Sequence, residues 1–148
     1  LRKNSTKEAR SVKILLNNAM RVKVIESLIK KNNLEVFIDF NFLNLTPGNF
    51  LSFNKICEEN KINIDENFLQ NLRILLNLYK KTKDLKLTNM ILFLTDYYFY
   101  NLQEKKIDNI EKIIENKSFV INNVNKFLAY NLNQNSLINA INNKLSNG

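Results

Sequence analysis

The chain has 148 residues, carries a formal net charge of +8 at pH 7 and contains no histidine. The lack of histidine excludes a histidine-based catalytic triad and a histidine metal site, and no glycine-rich phosphate loop is present. We therefore expect no self-contained active site, no bound metal and no cofactor. The single cysteine, Cys57, excludes an internal disulfide, is expected in the core and is compatible with a reducing cytoplasm.

The composition favours an all-α fold. The chain has only two glycines and one proline, whereas β architectures need many tight turns built from these residues. Hydrophobic residues make up 45% of the chain, which is enough for a core. The most apolar stretch, residues 87–102, is too short for a bilayer span and contains Asp96. We expect it to be a core helix, and we expect a cytoplasmic protein without membrane contact.

The excess of positive charge is strongest near the N-terminus. Only Glu8 and Glu26 oppose a set of nine basic residues there: Arg2, Lys3, Lys7, Arg10, Lys13, Arg21, Lys23, Lys30 and Lys31. This charge fits an anionic partner, such as nucleic acid or an acidic protein. It equally fits lysines that serve as solvated surface in a chain rich in Lys, Asn and Ile.

The first third of the chain is predicted to contain short elements. Residues 11–16 fit either a short strand or the start of a helix, and residues 19–31 predict an amphipathic helix. The buried face of that helix is predicted to consist of Met20, Val24 and Leu28, with Ile25 and Ile29 beside it. Residues 34–45 fit the period of a strand and that of a helix, and the scarcity of turn residues favours a helix.

The clearest turn signal is Thr46-Pro47-Gly48-Asn49, which predicts a turn that opens a helix over residues 50–59. Residues 60–65 are predicted to be a linker, with Asp65 as the N-cap of a helix over residues 66–81. The next predicted helix, over residues 85–104, has apolar residues nearly all the way round, which is typical of a central, buried helix.

Three further helices are predicted at the C-terminal end. The first is short, with Ile107, Ile110, Ile113 and Ile114 on one face. The second begins near Ser118 and places Val120, Val124, Phe127 and Leu128 on one face. A polar hinge, Asn131–Gln134, contains asparagines that can cap the third helix, whose apolar face is Leu137, Ile138, Ile141 and Leu145. The second half of the chain is therefore predicted to be a bundle of about five helices.

Three stretches resemble the delta-prime subunit family of the bacterial DNA polymerase III clamp loader. Residues 6–12 (TKEARSV), followed by residues 14–16 (ILL), resemble the family's T-x-x-S-R-C turn and the short strand after it. Residues 45–51 (LTPGNFL) resemble its G-S-P-G-x-A-L turn, which opens the last lid helix. Residues 131–133 (NLN), after Tyr130, resemble the N-L-N hinge of its collar domain.

The resemblance implies a division into three parts. Residues 1–16 would be the end of a nucleotide-binding AAA+ domain that lies upstream, residues 17–60 a small helical lid, and residues 65–146 a collar domain. Collar domains of the subunits pack into a ring that holds the pentameric loader together. The implied function is non-catalytic assembly of the loader, which places the sliding clamp on primed DNA. The implied partners are the other loader subunits in a hetero-oligomer, with DNA contacted indirectly.

The resemblance also implies roles for individual residues. Arg10 corresponds to an arginine that reaches a neighbouring ATP site as a trans arginine finger, although Ala9 and Ser11 replace the family's Ser and Cys. A solvated surface arginine is the alternative interpretation. Thr46, Pro47 and Gly48 would form the lid turn, where Asn49 and Phe50 stand in place of a phosphate-sensing arginine. Tyr130, Asn131 and Leu132 would lie at the collar interface.

Two other classes of function remain open. The charge also fits a basic all-α module that binds nucleic acid or another protein, with an affinity for DNA that falls steeply with salt. Base stacking is disfavoured by the position of the aromatic residues Phe93, Tyr97, Tyr98, Phe99 and Tyr100, because they lie in the most apolar helix, where core packing is expected. An enzyme would need carboxylate pairs, and each candidate pair also fits a helix cap or a solvated helix face.

Overall fold

The computed structural model describes residues 17–41, 45–106 and 109–147. The predicted segment 1–16, with its strand or helix start at residues 11–16, lies outside these residues. The described residues form six helices and no strand, which confirms the all-α prediction. The helices are α1 (Asn17–Asn32), α2 (Pro47–Asn60), α3 (Phe68–Thr82), α4 (Leu85–Glu104), α5 (Ile110–Tyr130) and α6 (Gln134–Asn147).

The chain divides into two compact units, Leu1–Glu59 and Asn60–Gly148. In the first unit, α1 buries Ile25 and most of Arg21, whereas Met20 is 62% exposed and Val24 is 47% exposed. The predicted buried face of α1 is therefore wrong by about one residue. The buried face includes an arginine because backbone carbonyl groups further along the chain accept hydrogen bonds from its guanidinium group. A pattern of apolar residues alone does not reveal such a face.

Residues 34–41, which follow α1, are irregular rather than helical. Residues 34–41 contain no helix, so the helix favoured for residues 34–45 is wrong over this described part. Its backbone is bound instead by a buried side chain of α2: Asn54 Oδ1 accepts a hydrogen bond of 2.8 Å from the Phe37 amide, and Asn54 Nδ2 donates to the Glu35 carbonyl. Ile38 of the same segment is buried. Tertiary hydrogen bonds thus replace those of a helix.

The Thr-Pro-Gly turn begins α2 directly. Thr46 Oγ1 accepts a hydrogen bond of 3.1 Å from the Asn49 amide, which makes Thr46 the N-cap, and Pro47 occupies the first helical position. The helix therefore starts three residues earlier than predicted. It buries Phe50, Phe53 and Cys57, so the prediction of Cys57 as a core residue is confirmed.

The second unit is a four-helix bundle. Each helix packs against the next, and α6 also packs against α3. The short connections make consecutive helices antiparallel. Lys117 on α5 pairs with Asp96 on α4 at 2.7 Å, and Lys144 on α6 pairs with Glu115 on α5. The hydrogen bond from Lys144 lowers the pKa of the Glu115 carboxyl group.

The prediction of about five helices in this bundle is wrong by one. The two segments predicted around Ile113 and after Ser118 are a single helix, α5. The polar residues between their apolar faces include Asn116, which is buried. Neither Gly nor Pro interrupts the segment, so the helix continues through it.

The start of α3 differs from the prediction in its cap. Asn67, not Asp65, is the N-cap, and its Oδ1 accepts a hydrogen bond of 3.1 Å from the Gln70 amide. The Asp65 carboxylate accepts a hydrogen bond from the Tyr97 hydroxyl instead. Asn71 fixes this approach to the helix, because its Nδ2 donates to the carbonyls of Asn63 and Glu66.

The bounds predicted for α4 are confirmed at both ends. The helix has its main contacts with α3 and α5, and each of the other three helices also has two such neighbours, so α4 is not the central helix that was predicted. Its buried residues lie on several sides of the helix: Leu87, Met90, Ile91, Phe93, Leu94, Thr95 and Phe99. Phe68 of α3 stacks on Tyr98 with ring centroids 4.3 Å apart and packs against Phe99 edge to face. The predicted core packing of the aromatic residues is therefore confirmed for Phe93 and Phe99, whereas Tyr97 and Tyr98 are half-buried and Tyr100 is exposed.

Candidate functional site at the hinge between α5 and α6

The hinge is a tight connection with defined backbone geometry. α5 ends at Tyr130, and Asn131 follows in the left-handed region with φ 51° and ψ 46°. Asn133 caps α6: its Oδ1 accepts a hydrogen bond of 3.0 Å from the Ser136 amide, and its carbonyl accepts one of 3.1 Å from the Leu137 amide. The capping predicted for the hinge asparagines is thus confirmed at Asn133.

The hinge exposes two large hydrophobic side chains. Tyr130 is 75% exposed and Leu132 is 46% exposed, whereas Phe127 and Leu137 on the flanking turns are buried. The apolar faces of α5 and α6 therefore face the core, and the hinge itself points to solvent. Neighbouring exposed apolar side chains are a common feature of protein interaction sites.

Polar contacts from α3 hold the hinge in place. Gln134 Nε2 donates a hydrogen bond of 3.1 Å to the Arg73 carbonyl, and Arg73 Nη1 donates one of 3.2 Å to Asn135 Oδ1. Lys83 Nζ lies 3.5 Å from Asn131 Oδ1. The sequence analysis missed Arg73 and Lys83, because no local pattern pairs residues so far apart in the chain. The contacts make the hinge a fixed feature of the bundle surface.

The other predicted site residues lie elsewhere. Thr46, Pro47 and Gly48 belong to the first unit, where they cap and begin α2. A Cβ atom at Gly48 would have no neighbour within 4 Å, so space does not require glycine there. Arg10 lies outside the described residues.

Two features of the described residues bear on catalytic chemistry: the grouping of possible metal ligands and the reactivity of Cys57. Among them, no group of three His, Cys, Asp or Glu side chains comes together as a metal site would require. Burial raises the pKa of the Cys57 thiol to about 12, which keeps it protonated and a poor nucleophile at neutral pH. None of the helices in the described part of the chain is long and apolar enough to cross a membrane.

Comparisons with protein-family models, curated proteins and solved structures found no match to this chain. The similarity to delta-prime subunits is therefore carried by the three short motifs alone. Two of those motifs lie in described residues, at the start of α2 and at the hinge.

Proposed function

We propose that the chain is a non-catalytic part of a bacterial clamp-loader subunit and takes part in assembly of the loader. In this proposal the first unit corresponds to the lid and the second to the collar. The observation that carries the proposal is the exposure of Tyr130 and Leu132 on either side of Asn131, at the position of the family's N-L-N hinge.

The geometry supports an interface at this hinge for two reasons. The bundle core is already formed without Tyr130 and Leu132, so these side chains are available to a partner. The capping by Asn133 and the tethers to α3 fix the hinge, so binding would cost little conformational entropy. A rigid Tyr beside a Leu is the kind of anchor that dominates binding free energy at protein interfaces.

The start of α2 supports the lid assignment more weakly. Thr46-Pro47-Gly48 opens a helix, as the corresponding turn does in the family, and no arginine follows the turn. A lid without a phosphate-sensing arginine fits a subunit that does not hydrolyse ATP.

The test is light scattering on the chain alone and on its mixture with the collar region of the ATPase subunit of the same clamp loader. We expect a mixed complex, which Tyr130→Asp and Leu132→Asp each weaken by about 30-fold, the loss typical of an interface anchor. Ile114→Asp is the matched control, because Ile114 is 59% exposed on the N-terminal half of α5. The absence of a mixed complex, with all proteins helical by circular dichroism, would overturn the proposal.

A further inference from the structure

One end of the four-helix unit concentrates positive charge. At this end α3 finishes, α4 begins and α5 finishes, and five exposed lysines lie there: Lys80, Lys81, Lys83, Lys86 and Lys126. We call this set the lysine end. Asp84 is the acidic residue within it, and its carboxylate is used as the N-cap of α4, where it accepts a hydrogen bond of 2.9 Å from the Lys86 amide.

Contacts between helices bring part of the lysine end onto one surface. Lys80 Nζ lies 6.0 Å from the centroid of the Phe127 ring, so this α3 side chain reaches across to α5. Lys83 Nζ lies 5.0 Å from the centroid of the Tyr79 ring and near Asn131 of the hinge. On α5, Lys126 and Tyr130 are one turn apart and therefore share a face. Lys80 of α3 thus lies against the end of α5, and Lys83 lies beside the hinge that follows α5.

The charges of the lysine end are not neutralised within the described part of the chain. Lys55, Lys117 and Lys144 each pair with a carboxylate. No carboxylate of the described residues forms an ion pair with any member of the lysine end. At the opposite end of the bundle charges of both signs are mixed along the chain, with Glu104, Lys105, Lys106, Asp108, Glu111 and Lys112. Mutual repulsion of the uncompensated lysines is relieved when an anion with several charges binds.

The side chains around the lysine end favour nucleic acid as that anion. Tyr130 is 75% exposed beside Lys126 and offers a ring on which a base can stack. The exposed amides of Asn131 and Asn135 can form hydrogen bonds with bases or phosphates. A membrane surface fits less well, because it needs a continuous exposed apolar helix face, whereas the large apolar side chains exposed at this end are single residues: Leu85, Tyr130 and Leu132.

We infer that the lysine end binds single-stranded nucleic acid, with the lysines on its phosphates and Tyr130 stacked on a base. The inference rests on the second unit alone and concerns the unassembled chain, because Tyr130 cannot stack on a base while it is buried in the assembly interface proposed above. The exposed ring favours a single strand over a duplex, because the bases of a duplex are already stacked on each other.

The test is fluorescence anisotropy of the full chain with labelled oligothymidylate of about 16 nucleotides, the upper size of a typical single-strand site. If five phosphates are neutralised, the slope of log affinity against log salt is about −3.5. We expect the triple variant Lys80→Gln, Lys83→Gln, Lys126→Gln to lower the affinity at least tenfold and to reduce that slope by about 2. Tyr130→Ala should weaken binding at least fivefold with little change in slope.

The matched control is the triple variant Lys23→Gln, Lys30→Gln, Lys31→Gln, which removes the same charge from α1. We expect it to bind within about twofold of the unmodified chain, since its lysines lie outside the site. Circular dichroism and urea unfolding establish that each variant is folded.

Several results would overturn the inference. They are no binding at low salt, an equal loss in the control triple, equal affinity for a duplex of the same length, and equal affinity for polyglutamate of matched charge. Binding to phosphatidylserine vesicles without binding to the oligonucleotide would also reject it, in favour of a membrane surface.

Discussion

Buried polar side chains hold the irregular segments of this protein. Arg21 is the clearest case: its Nη1 donates hydrogen bonds of 2.9 Å to the Phe40 carbonyl and 2.8 Å to the Leu45 carbonyl. No described residue accepts a hydrogen bond from its Nε. Asn54 and Asn71 act similarly on the segments before α2 and α3. Through these hydrogen bonds the three side chains hold in place segments that have few backbone hydrogen bonds of their own.

The role of Arg21 can be tested by substitution. We expect Arg21→Lys to lower the free energy of unfolding by about 1.5–3 kcal/mol, because the buried bonds from a charged group to two carbonyls are lost or distorted. The measurement is urea unfolding followed by circular dichroism. Lys23→Met is the control, since Lys23 is exposed on the same helix. Equal, small effects of both substitutions would show that Arg21 does not hold the segment.

The buried thiol of Cys57 makes the free energy of unfolding depend on pH, and the raised pKa of the thiol fixes the sign of that dependence. Burial raises the pKa of its thiol from 9.0 to about 12. Above pH 9 the unfolded chain loses this proton and the folded chain keeps it, so the stability that is present below pH 9 falls as the pH rises toward 12. The contribution is at most about 1.4 kcal/mol per pH unit.

Comparison of the unmodified chain with Cys57→Ala isolates this effect, because other groups titrate in both proteins. We expect the difference in unfolding free energy between the two proteins to be constant at neutral pH. Above pH 9 the unmodified chain should lose stability faster. Parallel curves across the whole alkaline range would contradict the account of a buried, protonated thiol.

At the scale of single elements, the hinge depends on one backbone conformation. Asn131 has a positive φ of 51°, which glycine and asparagine tolerate and β-branched residues do not. We expect Asn131→Gly to leave stability nearly unchanged and Asn131→Val to lower it by about 1–2 kcal/mol. Urea unfolding measures both. Equal stability of the two variants would mean that the hinge adopts another conformation in solution.

The elements themselves could largely be predicted from the sequence. The bounds of α4, the apolar face of α6 and that of the C-terminal half of α5 follow from the 3.6-residue period. In the N-terminal half of α5 the predicted face is wrong for Ile110 and Ile114, which are exposed, and right for Ile113, which is buried.

Predictions from the apolar period were wrong where polar residues are buried. The buried face of α1 includes Arg21, whose guanidinium group donates a hydrogen bond to the Leu45 carbonyl. The segment before α2 is irregular where a helix was predicted, and Asn54 accepts a hydrogen bond from its Phe37 amide. In both places tertiary hydrogen bonds outweigh a weak local preference. The buried polar residue Asn116 likewise interrupts the apolar pattern of α5, so the pattern predicted two helices where there is one.

The candidate site could be predicted only in part. The asparagines of the hinge indicated a cap, and Asn133 supplies it. The exposure of Tyr130 and the tether from Arg73 depend on how α3 packs against α6, which residues 131–134 do not encode locally. The lysine end was missed for the same reason. Lys80 and Lys126 are 46 residues apart in the sequence, and only the fold places them at the same end of the bundle.

At the scale of the whole molecule, the division into two units has a consequence for folding. The second unit, Asn60–Gly148, has its own core, formed by four helices of which each packs against the next. We expect residues 60–148 alone to be helical and to unfold in one cooperative urea transition. Val124→Asp should abolish the transition, since Val124 is buried, whereas Ile114→Asp should preserve it. A gradual loss of helix in the unmodified segment would show that the second unit is not self-sufficient.

The central claim is that the exposed hinge of the second unit is an assembly interface of a clamp loader. The most direct test is the mass, by light scattering, of an equimolar mixture of this chain with the collar region of the loader's ATPase subunit. We expect the mass of a mixed complex for the unmodified chain and for Ile114→Asp, and the masses of the separate components for Leu132→Asp. Separate components in all three mixtures would contradict the claim.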